Sequence, residues 1–291
     1  MTAIEELTDL VRTANDSAAA AVVTIGTRGR GSGFVVAPGK VLTNAHNLRD
    51  RTTQVTFADG RAVQATVTGS DLDGDLVVLD VDTAEIAPLT WAAEAPTTGD
   101  VVVTVTAGRH RRRVTWGQVT ATEAGFEGPR GRPITGALEH SAACAPGSSG
   151  APVLDREGHV VGINTHRLEY GFYLARSVDS ALRDVVTGMS GGRTFEPAHL
   201  GVAVAPGNVA ARLRAAVGLA GRDGLLVREV ADGSPAAQAG ITRGDLLVKA
   251  GERDLRTTDD LFAVLSGIST GDTLVVGVVR GVEELDVTVT F

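Results

Sequence analysis

The chain has 291 residues, of which 43% are hydrophobic, and it carries a formal net charge of −8. This composition is typical of a globular protein, and the acidic balance argues against a nucleic-acid partner. The single cysteine, Cys144, excludes an intramolecular disulfide and with it the disulfide-stapled class of small secreted domains.

The amino-terminal stretch MTAIEELTDLVRTANDS has early acidic residues and no apolar run of the kind found in secretory signals. No window approaches the ~18 consecutive apolar residues that a membrane-spanning helix requires. From the chain as written we expect a protein without an integral membrane segment that stays in the cytoplasm. A periplasmic or secreted location is the expectation if an amino-terminal signal has been removed.

Short strands dominate the first two thirds of the chain. After a candidate amphipathic helix come AVVTIGT, GSGFVVAP, KVLTNAH, TQVTFADG, RAVQATVTGS and DLVVLDVD. A second set follows, with DVVVTVTAG, RRVTWGQVTATE, GALEHSA, APVLDREGHVVGINT and GFYLARSV. Val-rich runs broken by Gly are typical of short strands, and no helical crossovers separate them. The pattern therefore favours two small barrels over a parallel sheet.

The composition changes near the end of the second set of strands. The segment VDSALRDVVTG predicts a closing helix, and the Gly-, Ser- and Pro-rich stretch at 188–198 predicts a linker. Beyond it, strands alternate with two short helices over a length that is normal for a small α+β domain. Leu261 and Leu265 share one face of the second of these helices. We therefore predict one domain at 1–187 and another at 199–291.

Two adjacent serines lie between glycines and prolines in the stretch APGSSGAPVLD at 145–155. Taken alone, such a cluster usually marks a turn between strands. A serine hydroxyl is a weak nucleophile that needs a neighbouring base, itself oriented by a third group. Candidates for both exist, because His46 ends the strand LTNAHN and Asp75 opens the strand DLVVLDVD.

The order His46, Asp75, Ser149, at intervals of 29 and 74 residues, is that of the trypsin-like triad and not that of the α/β-hydrolases. In a double barrel, the histidine and the aspartate come from the first barrel and the serine from the second. The sequence therefore predicts a reactive site in the cleft between the two barrels.

Three of these segments, GSGFVVAPGKVLTNAHN, DLDGDLVVLDVD and APGSSGAPVLDREGHVVGINT, closely resemble the HtrA/Deg family of trypsin-fold serine proteases. The final domain resembles a PDZ domain of that family in HLGVAV, VREVADGSPAAQAGITRGDLLVKAGE and GDTLVVGVVRG. The resemblance covers nearly the whole chain from about residue 18. It implies a mainly β fold, with a trypsin-like double β-barrel followed by a small α+β PDZ domain.

The resemblance also implies roles for individual residues. Ser149 is the nucleophile, His46 is the general base and then the general acid, and Asp75 orients the histidine. The backbone N–H groups of Gly147 and Ser149 form the oxyanion hole. The implied activity is the hydrolysis of peptide bonds in unfolded or partly unfolded proteins. We expect neither a metal nor another cofactor, because the sequence has no metal-ligand spacing and no nucleotide-binding fingerprint.

Two binding sites follow from the same resemblance. Ala143, Cys144, Phe172 and Leu174 are predicted to form an apolar specificity pocket. In the PDZ domain, the stretch HLGV is predicted to capture the terminal carboxylate of a polypeptide, with two helix leucines completing an apolar pocket. The predicted PDZ residues are His199, Leu200, Gly201, Val202, Leu261 and Leu265.

The chain departs from the family pattern close to the nucleophile. The usual NSGGP is SSGAP here, with Ala151 in place of a glycine, and Ser141 stands where the family often carries an aspartate. An alternative function therefore stays open, namely a protease-fold chaperone or peptide-binding scaffold with weak or silenced catalysis. A homo-oligomer is a further implication of the family. Because no aromatic residue precedes Phe34, the oligomeric state also stays open.

Overall fold

The chain divides into two compact units, residues 1–196 and 197–291. The computed structural model describes residues 2–49, 51–107, 111–127, 133–195, 198–205, 207–216, 218, 221–265, 268 and 271–291. No helix within these ranges is both long enough and apolar enough to cross a membrane.

The first six strands form a closed antiparallel barrel. They are β1 (Val22–Ile25), β2 (Gly31–Ala37), β3 (Lys40–Asn44), β4 (Thr52–Thr56), β5 (Ala62–Asp71) and β6 (Leu76–Asp80). Their order is β5-β4-β1-β2-β3-β6, and a further pairing between β5 and β6 closes the sheet on itself. The Val-rich runs form strands because branched side chains pack well on a pleated surface.

The next six strands form a second closed barrel. They are β7 (Val101–Thr106), β8 (Arg113–Glu127), β9 (Pro133–His140), β10 (Pro152–Leu154), β11 (Val160–Arg167) and β12 (Tyr173–Ser177). Their order is β10-β11-β12-β9-β8-β7, and β10 pairs with β7 to complete the ring. The two barrels confirm the double β-barrel predicted from the sequence.

A helix precedes the first barrel. The helix α1 (Ala3–Ala18) begins with a capping box, in which Thr2 Oγ1 accepts the Glu5 N–H and the Glu5 carboxylate accepts the Thr2 N–H. Its small residues Ala14 and Ala18 are wholly buried in the core that the barrel strands form. This helix is the amphipathic one that the sequence predicts.

The segment predicted as a linker at 188–198 is structured over most of its described length. The helix α2 (Ser180–Ser190) runs into it, and strand β13 (Thr194–Phe195) pairs in parallel with β5. The close approach of this segment to β5 depends on Gly69, where a Cβ atom would lie 2.4 Å from the carbonyl oxygens of Met189 and Arg193. Local composition does not reveal such a long-range contact, so the predicted boundary at 187 differs from the observed division. Residues 196 and 197 lie outside the described residues.

The second unit is a small α+β domain. Its elements are β14 (Val202–Ala205), α3 (Gly207–Ala216), β15 (Leu225–Val230), α4 (Pro235–Gln238), β16 (Leu246–Ala250), β17 (Arg253–Asp254), α5 (Thr258–Leu265), β18 (Thr273–Arg280) and β19 (Glu283–Thr290). The sheet order is β14-β15-β16-β18-β19, with β17 beside β16. One face of α5 buries Leu261 and Leu265 against this sheet, as its periodicity predicts.

Candidate active site

Three side chains from the two barrels meet in a hydrogen-bonded row. Ser149 Oγ lies 2.6 Å from His46 Nε2, and His46 Nδ1 lies 2.6 Å from Asp75 Oδ2. Asp75 is wholly buried, whereas the His46 side chain is 36% exposed. The structure therefore brings together the three residues that the sequence order singled out.

The first barrel holds the histidine and the aspartate by its backbone as well. His46 lies in a single helical turn (Ala45–Asn47) directly after β3, and its own N–H donates to Asp75 Oδ1 at 3.0 Å. Asp75 stands between β5 and β6 with a left-handed φ of 58°, a conformation that aspartate tolerates better than most residues. Because both carboxylate oxygens bind His46, the ring is fixed with Nδ1–H toward Asp75 and Nε2 toward the serine.

The loop that carries the serine requires glycine on both sides. Gly147 has φ 92° and Gly150 has φ 84°, values in the left-handed region. A Cβ atom on Gly150 would lie only 2.2 Å from the carbonyl oxygen of Ser32. The Ser149 carbonyl in turn accepts hydrogen bonds from the Ser32 N–H at 2.8 Å and from Asn47 Nδ2 at 2.9 Å. These contacts tie the serine loop of the second barrel to the first barrel.

Two backbone N–H groups of the serine loop bear on the predicted oxyanion hole. Within the described ranges, neither the Gly147 N–H nor the Ser149 N–H donates a hydrogen bond to another protein group. The Gly147 carbonyl, by contrast, accepts the Ser32 hydroxyl at 2.8 Å. Both N–H groups are therefore available to an oxygen placed next to the serine.

A cavity of about 170 Å³ opens beside Ser149. One wall is the serine loop from Cys144, and the other comes from β11 and β12. The lining residues are Cys144, Ala145, Pro146, Gly147, Ser148, Ser149, Asn164, Thr165, His166, Arg167 and Tyr173.

Of the four residues predicted for the specificity pocket, only Cys144 lines this cavity. Successive side chains of a strand point to opposite faces, so Tyr173 of β12 faces the cavity while Phe172 and Leu174 do not. Phe172 is 36% exposed, and Leu174 is buried away from the cavity. The Ala143 carbonyl accepts the Thr115 hydroxyl of β8. Tyr173 was missed because the sequence alone does not show which face of the strand turns inward.

Asn164, one of the lining residues, belongs to a hydrogen-bonded cluster of polar side chains. Asn164 Nδ2 donates to Thr104 Oγ1 at 2.8 Å, which leaves Asn164 Oδ1 to accept from His140 Nε2 at 2.9 Å. The Cys144 thiol lies 3.6 Å from the same oxygen. Burial lowers the pKa of His140 to about 4 and raises the pKa of the Cys144 thiol to about 12. Both groups are therefore neutral near pH 7, and no carboxylate lines the described cavity.

A second histidine adjoins the row. The His166 ring centroid lies 6.0 Å from that of His46 and 4.8 Å from that of Phe126. Burial is the largest cause of a lowered pKa of His166, and the neighbouring His46 lowers that pKa further. Thr165 Oγ1 lies 3.4 Å from Asp75 Oδ2 and 2.9 Å from His166 Nδ1, so it connects the second histidine to the buried carboxylate.

The predicted PDZ residues fall into two groups. Leu200, Leu261 and Leu265 are buried in one apolar cluster of the second unit, and Val202 packs against that cluster. Gly201 has φ 78°, and a Cβ atom there would lie 2.2 Å from Ser234 Cβ. The loop therefore requires glycine at this position. The structure places His199 outside this cluster, on the exposed side of the loop.

Two closed six-stranded barrels with a Ser–His–Asp row between them define the class of trypsin-like serine proteases. Comparison with known proteins agrees. The family model described as a trypsin-like peptidase domain matches residues 31–163, and the one described as a PDZ domain matches residues 194–291.

Individual relatives extend the match over most of the chain. HhoB of Synechocystis, a serine protease by its name, is 30% identical over 273 residues, which cover 87% of this chain and 64% of HhoB. The serine protease Do-like HtrA of Bacillus subtilis is 27% identical, over 88% of this chain and 62% of the relative. A serine endoprotease from Yersinia pestis superposes with a TM-score of 0.72 at 25% identity over 96% of both chains. The HtrA-type protease AlgW with a decapeptide has a TM-score of 0.77 at 23% identity, over 96% of this chain and 97% of AlgW, and shows the shared fold.

The chain belongs to the HtrA/Deg family, in which a trypsin-like protease domain is followed by a PDZ domain. It spans between 50% and 64% of the length of the curated relatives that it matches.

Proposed function

We propose that this protein is a serine endopeptidase that hydrolyses peptide bonds of unfolded or partly unfolded polypeptides. The observation that carries the proposal is the continuous row from Ser149 Oγ through the His46 ring to Asp75, with both links at 2.6 Å. A nucleophile, a base and an orienting group within hydrogen-bond reach are the requirements for acyl transfer by a serine hydroxyl. The intact row favours catalysis over the alternative of a silenced scaffold.

In the proposed mechanism, His46 Nε2 takes the hydroxyl proton as Ser149 Oγ attacks the carbonyl carbon of the substrate. The tetrahedral intermediate carries a negative oxygen, which the Gly147 and Ser149 N–H groups stabilise, at roughly 3 kcal/mol per donor. His46 then gives its proton to the leaving amine, and the same steps with water release the acyl group. Asp75 stays ionised throughout and stabilises the imidazolium ring.

The proposed substrate preference follows from the cavity beside Ser149. Its described lining has no carboxylate, and the half-buried Cys144 thiol has a raised pKa of about 12, so a cationic side chain finds no counter-charge there. The 170 Å³ volume suits a small or medium apolar side chain on the acyl side of the cleaved bond. Tyr173 also lines this cavity.

We propose that the second unit binds the carboxyl-terminal ends of polypeptides, for substrate capture or regulation. The left-handed Gly201 beside the buried leucines supports a backbone nest for a carboxylate next to an apolar pocket. AlgW, a structural neighbour, carries decapeptide and tripeptide ligands in its structures.

We further propose that the protein acts in the periplasm. Two DegP-like relatives, from Halomonas elongata and Hahella chejuensis, are named as periplasmic serine endoproteases. Fractionation of the producing cells, with antibody detection, tests this, and recovery of the protein with a cytoplasmic marker alone overturns it.

The catalytic proposal is tested by labelling with a serine-reactive fluorophosphonate, followed by mass spectrometry of the labelled peptide. The wild type should be labelled at Ser149 and should degrade unfolded casein, and Ser149→Ala should do neither. Ser148→Ala is the matched control, because the Ser148 hydroxyl donates to the Ala145 carbonyl at 2.6 Å and does not contact the histidine. Labelling of Ser149→Ala at the same rate as the wild type overturns the assignment.

A further inference from the structure

The Ser149 hydroxyl has a second acceptor besides His46. Asn44 Oδ1 lies 3.0 Å from Ser149 Oγ, and Asn44 is wholly buried at the end of β3. The orientation of its amide is set, because Nδ2 donates to the backbone carbonyl of Asp75 at 3.0 Å. Oδ1 is therefore the atom that faces the hydroxyl, and an amide oxygen can only accept.

The backbone of Asp75 makes this arrangement possible. Its left-handed conformation, φ 58°, presents its carbonyl to the end of β3, where the Ala45 N–H at 2.9 Å and Asn44 Nδ2 share it. Asn44 thus links Asp75 to Ser149 by a path that bypasses the His46 ring.

Ser149 has one hydroxyl proton and two acceptors. While His46 is neutral, Nδ1–H points to Asp75, and Nε2 accepts the proton across 2.6 Å. Once His46 is protonated, Nε2 becomes a donor to Ser149 Oγ, and the hydroxyl proton needs another acceptor. Among the described contacts of Ser149 Oγ, Asn44 Oδ1 fills that place.

We propose that Asn44 is a positioning residue that accepts the Ser149 hydroxyl proton whenever His46 is protonated, and so stabilises the protonated resting site. This inference rests on the proposed pairing of His46 with Ser149. The charged or titratable groups that face His46 or its partner are Asp75 at 2.6 Å, the His166 ring at 6.0 Å and Arg176, whose charge acts on Asp75. All three are present in every variant below.

The test is a titration of the His46 ring by its imidazole ¹⁵N shifts, on the full chain without substrate. Asn44→Ala should move the midpoint of the His46 titration to lower pH by about half to one unit, the value of one hydrogen bond. The same substitution in a Ser149→Ala background should move it by much less, because the hydroxyl that joins Asn44 to the histidine is absent. Asn44→Leu, which keeps the buried volume, repeats the measurement if Asn44→Ala does not fold.

Asn47→Leu is the matched control. Asn47 is a buried asparagine of the same turn, but its Nδ2 contacts the Ser149 carbonyl and not the hydroxyl. Because Asn47 holds the loop through the Ser149 backbone and not through the hydroxyl, any shift that Asn47→Leu causes should be equal in the wild-type and Ser149→Ala backgrounds. An equal shift by Asn44→Ala with and without the Ser149 hydroxyl, or no shift in either background, overturns the proposal. The titration uses no substrate, so it tests the role of Asn44 independently of the peptidase activity. The casein assay tests the peptidase activity itself.

Discussion

The Asp75 carboxylate accepts two hydrogen bonds from His46. Oδ2 lies 2.6 Å from the ring Nδ1, and Oδ1 lies 3.0 Å from the backbone nitrogen of the same residue. The carboxylate thereby sets both the position of the histidine turn and the tautomer of its ring. Because Asp75 is wholly buried, these two contacts are made without competition from water.

Asp75→Asn should preserve the fold but lower kcat by roughly 10⁴-fold, as a neutral amide at this place allows the wrong ring tautomer. Steady-state hydrolysis of a peptide substrate measures the loss, and circular dichroism monitors the fold. A well-folded Asp75→Asn protein with kcat within tenfold of the wild type would contradict the role assigned to the carboxylate.

Gly150→Ala should destabilise the first unit and reduce the yield of folded protein, because the new Cβ would lie 2.2 Å from the Ser32 carbonyl oxygen. Gly192→Ala is the control. Gly192 has a comparable φ of 94° but nothing within 4 Å of the added carbon, so it should cost only the backbone strain of about 1 kcal/mol. Denaturant unfolding compares the two, and an equal loss of stability in both variants would refute the steric argument.

His140 should make the protein acid-sensitive. Its pKa is lowered to about 4 in the folded chain by burial, from an ordinary 6.5, so the unfolded chain binds the proton more readily between these values. The free energy of unfolding is therefore highest above pH 6.5, where His140 is neutral in both the folded and the unfolded chain. It should fall by about 3 kcal/mol in total as the pH drops from 6.5 toward 4.

His140→Gln keeps a donor for Asn164 and removes the titrating ring. It should flatten the fall in unfolding free energy between pH 6.5 and 4, as read from urea melts at a series of pH values. His159→Gln, at a half-exposed turn position, is the control and should keep the wild-type profile. The same acid loss in His140→Gln as in the wild type would show that another group is responsible.

Tyr173→Ala should widen the cavity and move cleavage toward larger apolar side chains on the acyl side of the scissile bond. Phe172→Ala, at the partly exposed residue directly before β12, should leave the preference as it is. Profiling with a peptide library compares the two variants with the wild type. Dominant cleavage after Arg or Lys by the wild type would contradict a preference set by a described lining without a carboxylate.

The isolated second unit should bind peptides with a hydrophobic carboxyl-terminal residue at micromolar strength, which is typical of small transient interfaces. Amidation of the peptide terminus should weaken this binding, because it removes the charge that the backbone N–H groups recognise. Isothermal titration calorimetry measures both peptides, and equal affinity for the free acid and the amide would exclude carboxylate capture.

Local residue preferences and chain order predicted most elements of the fold and the chemistry that they carry. Val-rich runs without helical crossovers predicted two barrels, and the order of His46, Asp75 and Ser149 predicted a site between them, because local preferences and chain order are readable from residues alone. The roles of the three residues, and of the PDZ segment, came from the resemblance to a family.

Which neighbouring residues share a surface became clear from the folded chain alone. The tertiary structure placed Tyr173 and not Phe172 in the cavity, it extended the first unit past residue 190 through the contact at Gly69, and it brought Asn44 to the Ser149 hydroxyl. All three findings have the same cause. How barrels close and pack determines which face of a strand turns inward. It also determines whether segments 105 residues apart in the chain come into contact, and no local pattern encodes that geometry.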